Sequence, residues 1–285
     1  MIIDPKNIAV KDLHQFIVGA VAPRPIAFVS TVDENGIPNL APYSFFNAFS
    51  SNPPILIFSS NRRVENNTTK DTLHNVQVTR QCVIQVVTHD IVRQMALSSV
   101  DYPAGVDEFK KAGFTPIPSI HVKPFRVKES PIQMECEVQD IITLGDHGGA
   151  GHLVICKVLC IHVDEKILDD NERIDPDKLD LMGRLGRAYY TRASGAAVET
   201  IYQPFNEIGI GFDQLPDAIR NSSILTGNEI AEFAALTHAP ELREDDHNDI
   251  KNLSRDEVHL KIRELLLKKD IAAAAKLAWA DVARG

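Results

Sequence analysis

The amino-acid sequence predicts a mainly β domain with peripheral helices, followed by a helical extension at the C-terminus. Residues 24–43 have the pattern of two β-strands joined by a tight hairpin, because Asn35-Gly36 supplies the positive backbone dihedrals that such a turn needs. Residues 55–58 are continuously apolar, which is typical of a strand buried on both faces. Together these segments indicate the wall of a β-barrel.

A second, longer hairpin is predicted farther along the chain. Residues 132–144 alternate between apolar and polar side chains, and residues 152–163 form a similar run after the glycine-rich stretch 145–151. Between the two hairpins the sequence predicts a strand at residues 82–87. Short helices are expected at residues 70–76, 91–97 and 107–112, whereas three prolines make residues 114–127 irregular or edge structure.

Residues 44–52 interrupt the strand pattern of the first hairpin. Three phenylalanines alternate with hydroxyl and amide side chains there, so the segment is too polar for a core strand and too aromatic for an ordinary loop. We expect it to separate the second and third strands and to face a planar ligand. Phe49 is the phenylalanine expected to belong to the core.

The pattern changes after Gly195, where the chain becomes helical. A helix opened by Thr226 or Asn228, an acidic linker at residues 241–249 and a second helix from Ser254 through Ala283 are predicted. The expected domains are therefore residues 1–196 and the extension 197–285. Nothing in the extension has a catalytic pattern.

Composition excludes several classes of partner. The 285 residues carry a formal net charge of −9 and give a pI near 5.6, so a nucleic acid or an anionic membrane is not an expected partner. No stretch approaches the ~20 apolar residues of a membrane span, and the N-terminus lacks the pattern of a signal peptide. A cytoplasmic location is expected by default.

The four cysteines lie within apolar, strand-like runs and show no Cys-x-x-Cys spacing. Buried free thiols are therefore expected rather than disulfides or a metal site. His147 and His152 lack a third ligand at zinc-binding spacing, and no metal is expected.

Four groups of residues resemble one known family. Residues 24–31, residues 39–47, Pro53-Pro54 and Lys70-Asp71-Thr72 together resemble the flavin reductase-like family of FMN-binding split-barrel proteins, in the branch of flavoprotein oxygenases and flavin reductases. The resemblance extends over residues 10–192. It implies an FMN-binding split barrel, NAD(P)H as co-substrate, a homodimer and, as a further partner, an oxygenase supplied with reduced flavin.

The FMN phosphate is expected near the start of the helix at residues 70–76. A lysine there acts as a point charge, while hydroxyls and free backbone N–H groups act as directional donors. The cofactor-binding residues expected there are Ser59, Arg62, Lys70, Asp71 and Thr72. Taken alone, Lys70-Asp71-Thr72 also fits an ordinary helix start capped by Asp71 or Thr69.

The isoalloxazine ring is expected against the segment that interrupts the strands. The ring contacts are assigned to Ser44, Phe45, Phe46 and Asn47, with further cofactor-binding roles for Arg24, Ser30, Thr31, Arg187 and Tyr189. Asn47 is a catalytic candidate because a donor near the flavin stabilises the charge that appears on reduction. His152 is the second catalytic candidate, because the resemblance implies a histidine near the isoalloxazine or the nicotinamide at this position. The alternatives are a rim cation for Arg24, a solvent-exposed turn for His152 and a surface helix for Arg187 and Tyr189.

Three functions remain open at this level. The first is an NAD(P)H-dependent flavin reductase that transfers hydride to FMN N5, and the second is an FMN-holding electron-transfer protein without nicotinamide turnover. The third is an FMN-dependent oxygenase acting on a small organic substrate. Hydride transfer between stacked rings needs no acid–base pair from the protein, so the absence of a catalytic triad from the sequence is expected.

Overall fold

The computed structural model describes residues 1–103, 105–201, 207–243, 247 and 250–283. The chain divides into two compact units, Met1–Glu199 and Thr200–Gly285, each with its own hydrophobic cluster. The sequence predicted a domain boundary between residues 196 and 197. That each of the two segments folds as a separate domain stays a prediction.

The first unit is organised around antiparallel β-structure. Its strands are β1 (Ala27–Val32), β2 (Pro38–Tyr43), β3 (Phe46–Ser51), β4 (Pro54–Ser59), β5 (Gln81–Gln85), β6 (Pro116–Ile117), β7 (Arg126–Val127), β8 (Ile132–Thr143), β9 (His152–Val163), β10 (Leu181–Arg184) and β11 (Tyr190–Ala193). Seven of them form one sheet in the order β2-β1-β5-β8-β9-β4-β3, and β6-β7 and β10-β11 form separate pairs. The predicted long hairpin is confirmed as β8 and β9.

Among the described residues of the first unit, five α-helices accompany this sheet. They are α1 (Val10–Ala20), α2 (Asp71–Thr79), α3 (Val92–Leu97), α4 (Glu108–Ala112) and α5 (Pro176–Leu179). No described helix of the chain is long and apolar enough to cross a membrane.

The two edges of the seven-stranded sheet are close in sequence. Strands β2 and β3 lie at opposite ends of the strand order, yet only Ser44 and Phe45 connect them. Three steps between consecutive Cα atoms span at most about 11 Å, so the sheet must curve until its edges approach each other. No ladder between β2 and β3 closes the barrel among the described strands.

The expectation for residues 44–52 is partly wrong, because most of this segment is strand β3. The strand pairs only with β4 and is largely exposed, so its polar side chains keep their water while its backbone is hydrogen-bonded. Phe49 is 63% exposed and does not belong to the core as expected. An edge strand tolerates a sequence that a central strand would not.

The turn between β1 and β2 is also looser than expected. Gly36 has φ 83°, but Asn35 is not among the residues with positive φ, and five residues separate the strands. The carboxylate of Asp33 organises the loop by accepting hydrogen bonds from the backbone N–H groups of Asn35 and Ile37. A side-chain acceptor thus replaces the two-residue turn.

The core between the sheet and its helices contains the predicted thiols. Strand β1 is buried along its whole length, and Phe28 and Phe58 are fully buried. The four cysteines are free: Cys82, Cys136 and Cys156 are buried and Cys160 is half-buried. This confirms free thiols and gives three of them a place in the core.

The second unit is helical. Its described helices are α6 (Asp217–Arg220), α7 (Gly227–Ala234), α8 (Arg255–Leu267) and α9 (Ile271–Ala283). Thr226 and Ser254 begin α7 and α8 with capping boxes. The expected single helix to Ala283 is wrong, because Lys269 adopts φ 60° and Asp270 accepts from Ala273 N to begin α9. Part of the predicted acidic linker, residues 244–246 and 248–249, lies outside the described residues.

Candidate functional site

A cavity of about 450 Å³ opens in the first unit, where α1, the β2–β3 connection, the start of α2 and the end of β10 meet. Small-molecule sites typically measure about 300–1,000 Å³, so the cavity is large enough for a flat heteroaromatic ligand. Its lining residues are Lys11, His14, Gln15, Val18, Arg24, Pro42, Tyr43, Ser44, Phe45, Ser59, Asn61, Lys70, Arg184, Leu185 and Arg187.

One face of α1 forms a wall of the cavity. Its four lining residues, Lys11, His14, Gln15 and Val18, are spaced three, four and seven positions along the helix and therefore project from one side. The His14 ring meets the Phe45 ring edge to face, with 6.0 Å between centroids. Phe45 is further held by its carbonyl, which accepts from Ser59 N at 2.8 Å.

Arg24 lies deep in the cavity wall and is only 6% exposed. Its guanidinium donates to the carbonyls of Val18, Val21 and Leu185, and its Cζ lies 5.9 Å from the centroid of the Phe45 ring. Burial, and then the charge of Arg184, lower the pKa of Arg24 below its usual value. The guanidinium remains charged at neutral pH because arginine titrates far above it.

The hairpin of β10 and β11 brings two more arginines to the cavity. Backbone hydrogen bonds in both directions between Arg24 and Arg184, of 2.9 and 2.8 Å, attach β10 to the segment before β1. The Arg184 guanidinium lies 4.5 Å from the centroid of the Tyr190 ring. Arg187, in the turn, has φ 55°, a left-handed conformation that is uncommon for a residue with a side chain.

Lys70 closes the opposite side of the cavity at the N-cap of α2. Its Nζ lies 5.3 Å from the centroid of the Tyr43 ring, and burial lowers the pKa of its ammonium group. Lys70 makes no side-chain capping bond, and the expected caps Asp71 and Thr69 are wrong because Asp71 is already the first helical residue. Burial raises the pKa of Tyr43 to about 12, so its phenol stays neutral.

The charge of the cavity differs from that of the whole chain. Five lysines and arginines line it, whereas no aspartate or glutamate does in the described part of the chain. None of the five forms an ion pair with a described carboxylate within 4.0 Å. In a chain of net charge −9, this unpaired positive charge favours an anionic ligand.

The structure brings six of the predicted site residues to this cavity. They are Arg24, Ser44, Phe45, Ser59, Lys70 and Arg187. Asp71 and Thr72 line a neighbouring cavity of about 50 Å³, which shares Pro42, Tyr43 and Lys70 with the larger one. The residues predicted to bind the phosphate are therefore divided between two adjoining cavities.

Several other predicted residues point elsewhere. Ser30 is buried and donates to the Phe125 carbonyl, while Thr31 is buried and bonded to Asn39 and Asn75. Phe46 packs against the core cluster. Ser30 and Thr31 are occupied by the fold, because β1 is buried along its whole length and leaves no side chain free for a ligand. Phe46, on the exposed edge strand β3, turns its ring toward the core instead.

The remaining predicted residues lie on the surface or behind the cavity. Asn47 is exposed on β3 and accepts from Ala48 N, and Arg62 bonds to Asn67. Tyr189 is 61% exposed. His152 is buried rather than in a solvent-exposed turn, and its Nδ1 lies 3.0 Å from the Ser60 carbonyl, which fixes the end of β4 against β9.

Sequence reasoning missed nine of the lining residues. They are Lys11, His14, Gln15, Val18, Pro42, Tyr43, Asn61, Arg184 and Leu185. The spacing of Lys11, His14 and Gln15 on one helix face was a usable signal, as was the Gly-Arg-Leu-Gly-Arg run at residues 183–187. Neither signal shows which part of the fold these side chains face. Within the described ranges, no cluster of three metal-ligating side chains is found, in the cavity or elsewhere.

Residues 19–184, more than half of the chain, match the model of the flavin reductase-like domain. The chain belongs to the flavin reductase-like family. This confirms the resemblance seen in the sequence, and it leaves the helical unit from Thr200 onward outside the matched region.

Relatives and solved structures agree with this assignment. An uncharacterized protein of Aquifex aeolicus is 38% identical over 183 residues, which are 64% of this chain and 91% of that protein. Nitrilotriacetate monooxygenase component B from Bacillus cereus superposes with a TM-score of 0.65 at 30% identity, covering 71% of this chain and 98% of the other. A Shewanella frigidimarina protein with a split barrel domain has a TM-score of 0.60 at 20% identity, covering 71% and 100%.

The donor set of the cavity fits a flavin nucleotide. Two aromatic rings, Tyr43 and Phe45, together with Val18 and Leu185 offer surfaces for a flat ring system, while the surrounding cations suit a phosphate. No carboxylate lines this cavity in the ranges that the structure describes, whereas Asp71, Asp101 and Glu108 line the adjoining space of about 50 Å³ on the far side of Lys70.

Proposed function

We propose that this flavin reductase-like protein binds FMN in the cavity of about 450 Å³ and is an NAD(P)H-dependent flavin reductase. The observation that carries the proposal is a cavity with aromatic surfaces and five unpaired cations in a chain of this family. Bound FMN supplies N5 as the acceptor of a hydride from the nicotinamide.

Lys70 and the free N–H groups at the start of α2 hold the FMN phosphate. Thr72 is buried and its hydroxyl donates to Asn39, so it supports the start of the helix rather than the phosphate. The phosphate gains charge-assisted hydrogen bonds, and Lys70 gains the counter-ion that the protein does not provide within 4.0 Å among its described residues. Asp71 is adjacent but belongs to the helix, and Ser59 lies at the floor, where its hydroxyl contacts Asn61.

Phe45, Tyr43 and Val18 exclude water from the ring, and the nearby cations Arg24 and Arg184 create a positive potential around it. A fixed positive charge favours the negative charge that reduction places on the ring, and it requires no proton transfer from the protein. In this proposal Arg24 and Ser44 take the electrostatic role that the sequence suggested for Asn47, and His152 becomes a positioning residue through Ser60.

The proposal includes a homodimer and an oxygenase partner. Leu159, Ile161 and Val163 alternate along β9 and are 39–55% exposed, which is unusual for an apolar strand face and suits a second copy of the chain. The similarity to a monooxygenase component B supports an oxygenase as the consumer of reduced flavin.

The experiment is an anaerobic titration followed by turnover. FMN binding is measured by quenching of flavin fluorescence, and the oxidation of NADH and NADPH at 340 nm is measured with and without added FMN. We expect saturable FMN binding and flavin-dependent oxidation of at least one nicotinamide. Failure of folded protein to bind FMN would refute the proposal, and a flavin-loaded protein inert to both nicotinamides would favour the electron-transfer function.

A further inference from the structure

The cations of the cavity fall into two groups. Lys70 lies beside Tyr43. The other four cations, Lys11, Arg24, Arg184 and Arg187, line the rest of the cavity together with Phe45, and we call them the Phe45 group. A phosphate monoester carries about −1.5 to −2 charges at neutral pH, so one FMN phosphate beside Lys70 leaves Lys11 and Arg187 without an anionic partner, while Arg24 and Arg184 lie beside the flavin ring. The cavity therefore carries more positive charge than one FMN phosphate neutralises.

The Phe45 group extends from the floor of the cavity to its mouth. Arg24 is buried, Arg184 is half-buried, and Arg187 and Lys11 are exposed. The three carbonyl acceptors of Arg24 hold it in the wall, so the arginine and lysine side chains nearer the mouth are the ones available to a second ligand. For these side chains to meet a dinucleotide, its adenosine end has to lie at that mouth while the nicotinamide reaches the flavin.

The conformation of Arg187 is an independent observation. Its φ of 55° is a backbone conformation that costs a non-glycine residue free energy, and such residues concentrate at functional sites. Glycine adopts a left-handed conformation without strain, and Gly186 precedes Arg187 in the same turn. The left-handed residue of the turn is nevertheless Arg187, which lines the cavity.

Carboxylates and arginines near the adenosine ribose discriminate between the two nicotinamide dinucleotides. An aspartate or glutamate accepts from the free 2′-hydroxyl of NADH and repels a 2′-phosphate, whereas an arginine accommodates the 2′-phosphate. In the described ranges, the cavity lining contains three arginines, two lysines and no carboxylate. Asp12 follows Lys11 on α1 but is not among the lining residues.

We propose that the exposed members of the Phe45 group, Lys11 and Arg187, receive the 2′-phosphate of NADPH, which makes NADPH rather than NADH the reductant. This inference rests on the proposed function, since it names the co-substrate of the same site. Arg187 and Lys11 contact the phosphate from the mouth, and Arg184 supports them from the wall.

The test compares both nicotinamides in wild type, Arg187→Asn and Arg80→Asn. Asparagine tolerates a left-handed backbone, so R187N removes the charge with little added strain. Arg80 is the matched control, because it has φ 57°, is exposed and does not line the cavity. We expect wild type to favour NADPH in kcat/KM by about tenfold or more, and R187N to lower that ratio by about tenfold, the effect of one charge-assisted hydrogen bond. R80N should retain the wild-type ratio.

A binding measurement separates this inference from the flavin reductase activity. Calorimetry of the FMN-loaded protein with adenosine 2′,5′-bisphosphate and with AMP should give a tighter Kd for the bisphosphate by about tenfold, and R187N should abolish the difference. That result supports the phosphate site even if neither nicotinamide is oxidised, in which case only the proposed function fails.

Three results would overturn the inference. The first is equal binding of the bisphosphate and AMP. The second is a wild-type protein that binds FMN and uses NADH as well as or better than NADPH, which leaves the proposed function intact. The third is tighter binding of FAD than of FMN with the difference lost in R187N, because it would assign the Phe45 group to a second phosphate of the flavin itself.

Discussion

Replacing Lys70 by methionine tests where the flavin phosphate lies. Lys70→Met keeps an unbranched side chain against the Tyr43 ring and removes the charge that lies 5.3 Å from that ring. No described carboxylate pairs with Lys70 within 4.0 Å, and burial already lowers the pKa of its ammonium group. The ammonium therefore gains most from an anion that enters the cavity.

The expected effect follows from the strength of a charged hydrogen bond. Such a bond contributes about 1.5–3 kcal/mol, so K70M should weaken FMN binding by roughly 10- to 150-fold. Riboflavin lacks the phosphate, and its Kd should change by less than about threefold because the ring contacts remain. Both values are measured by quenching of flavin fluorescence at fixed ionic strength.

Lys123→Ala is the control for general charge effects, because Lys123 is exposed and lies outside the cavity. It should leave both dissociation constants unchanged. If K70M weakened riboflavin and FMN equally, Lys70 would contact the ring or support the fold, and the phosphate assignment would be refuted.

The other predictions concern stability and the role of the second unit. Tyr43→Phe should leave the free energy of unfolding in urea within about 1 kcal/mol of wild type, because the buried Tyr43 hydroxyl makes no hydrogen bond of regular geometry, although the hydroxyls of Thr72 and Ser60 lie near it. A loss well above about 1 kcal/mol would show that one of these hydroxyls is bonded to Tyr43. Glu135→Gln should cost about 1–3 kcal/mol at pH 7, because the buried carboxylate accepts from Ile120 N, His121 N and His162. Burial acts to raise the pKa of Glu135, but these donors hold that pKa below 4.5. As the pH falls below about 4.5, the wild-type protein should therefore lose stability more steeply than E135Q. Parallel profiles of stability against pH for the two proteins would contradict this. Removing residues 200–285 should leave the FMN Kd within about threefold, since each unit has its own core; insoluble protein would show that the second unit completes the first.

Much of the fold followed from local patterns. Alternation along residues 132–144 and 152–163 predicted β8 and β9, and the Ser254 capping box predicted the start of α8. Local patterns failed where an edge position changed what a strand tolerates, as in β3. They also failed at Lys269, where one residue with positive φ ended a helix that its apolar spacing would have continued.

For the candidate site, the sequence provided the kind of residue but seldom its direction. Lys70 and Phe45 were found because a lysine at a helix start and aromatic residues beside a strand are recognisable in one dimension. Ser30 and Thr31 were chosen with equal reason, yet both are bonded within the fold. Lys11 was passed over, because the spacing of a helix face does not say what that face meets.

The sequence by itself determined that this protein is a β-structure of the flavin reductase-like family with free thiols. Only the tertiary structure decided that Lys11, Arg24, Lys70, Arg184 and Arg187, which lie up to 176 positions apart along the chain, converge on one cavity without a carboxylate among its described lining residues. The physical reason is that strand and helix patterns depend on neighbours within a few residues. The charge of a cavity depends on which distant elements the curved sheet brings together.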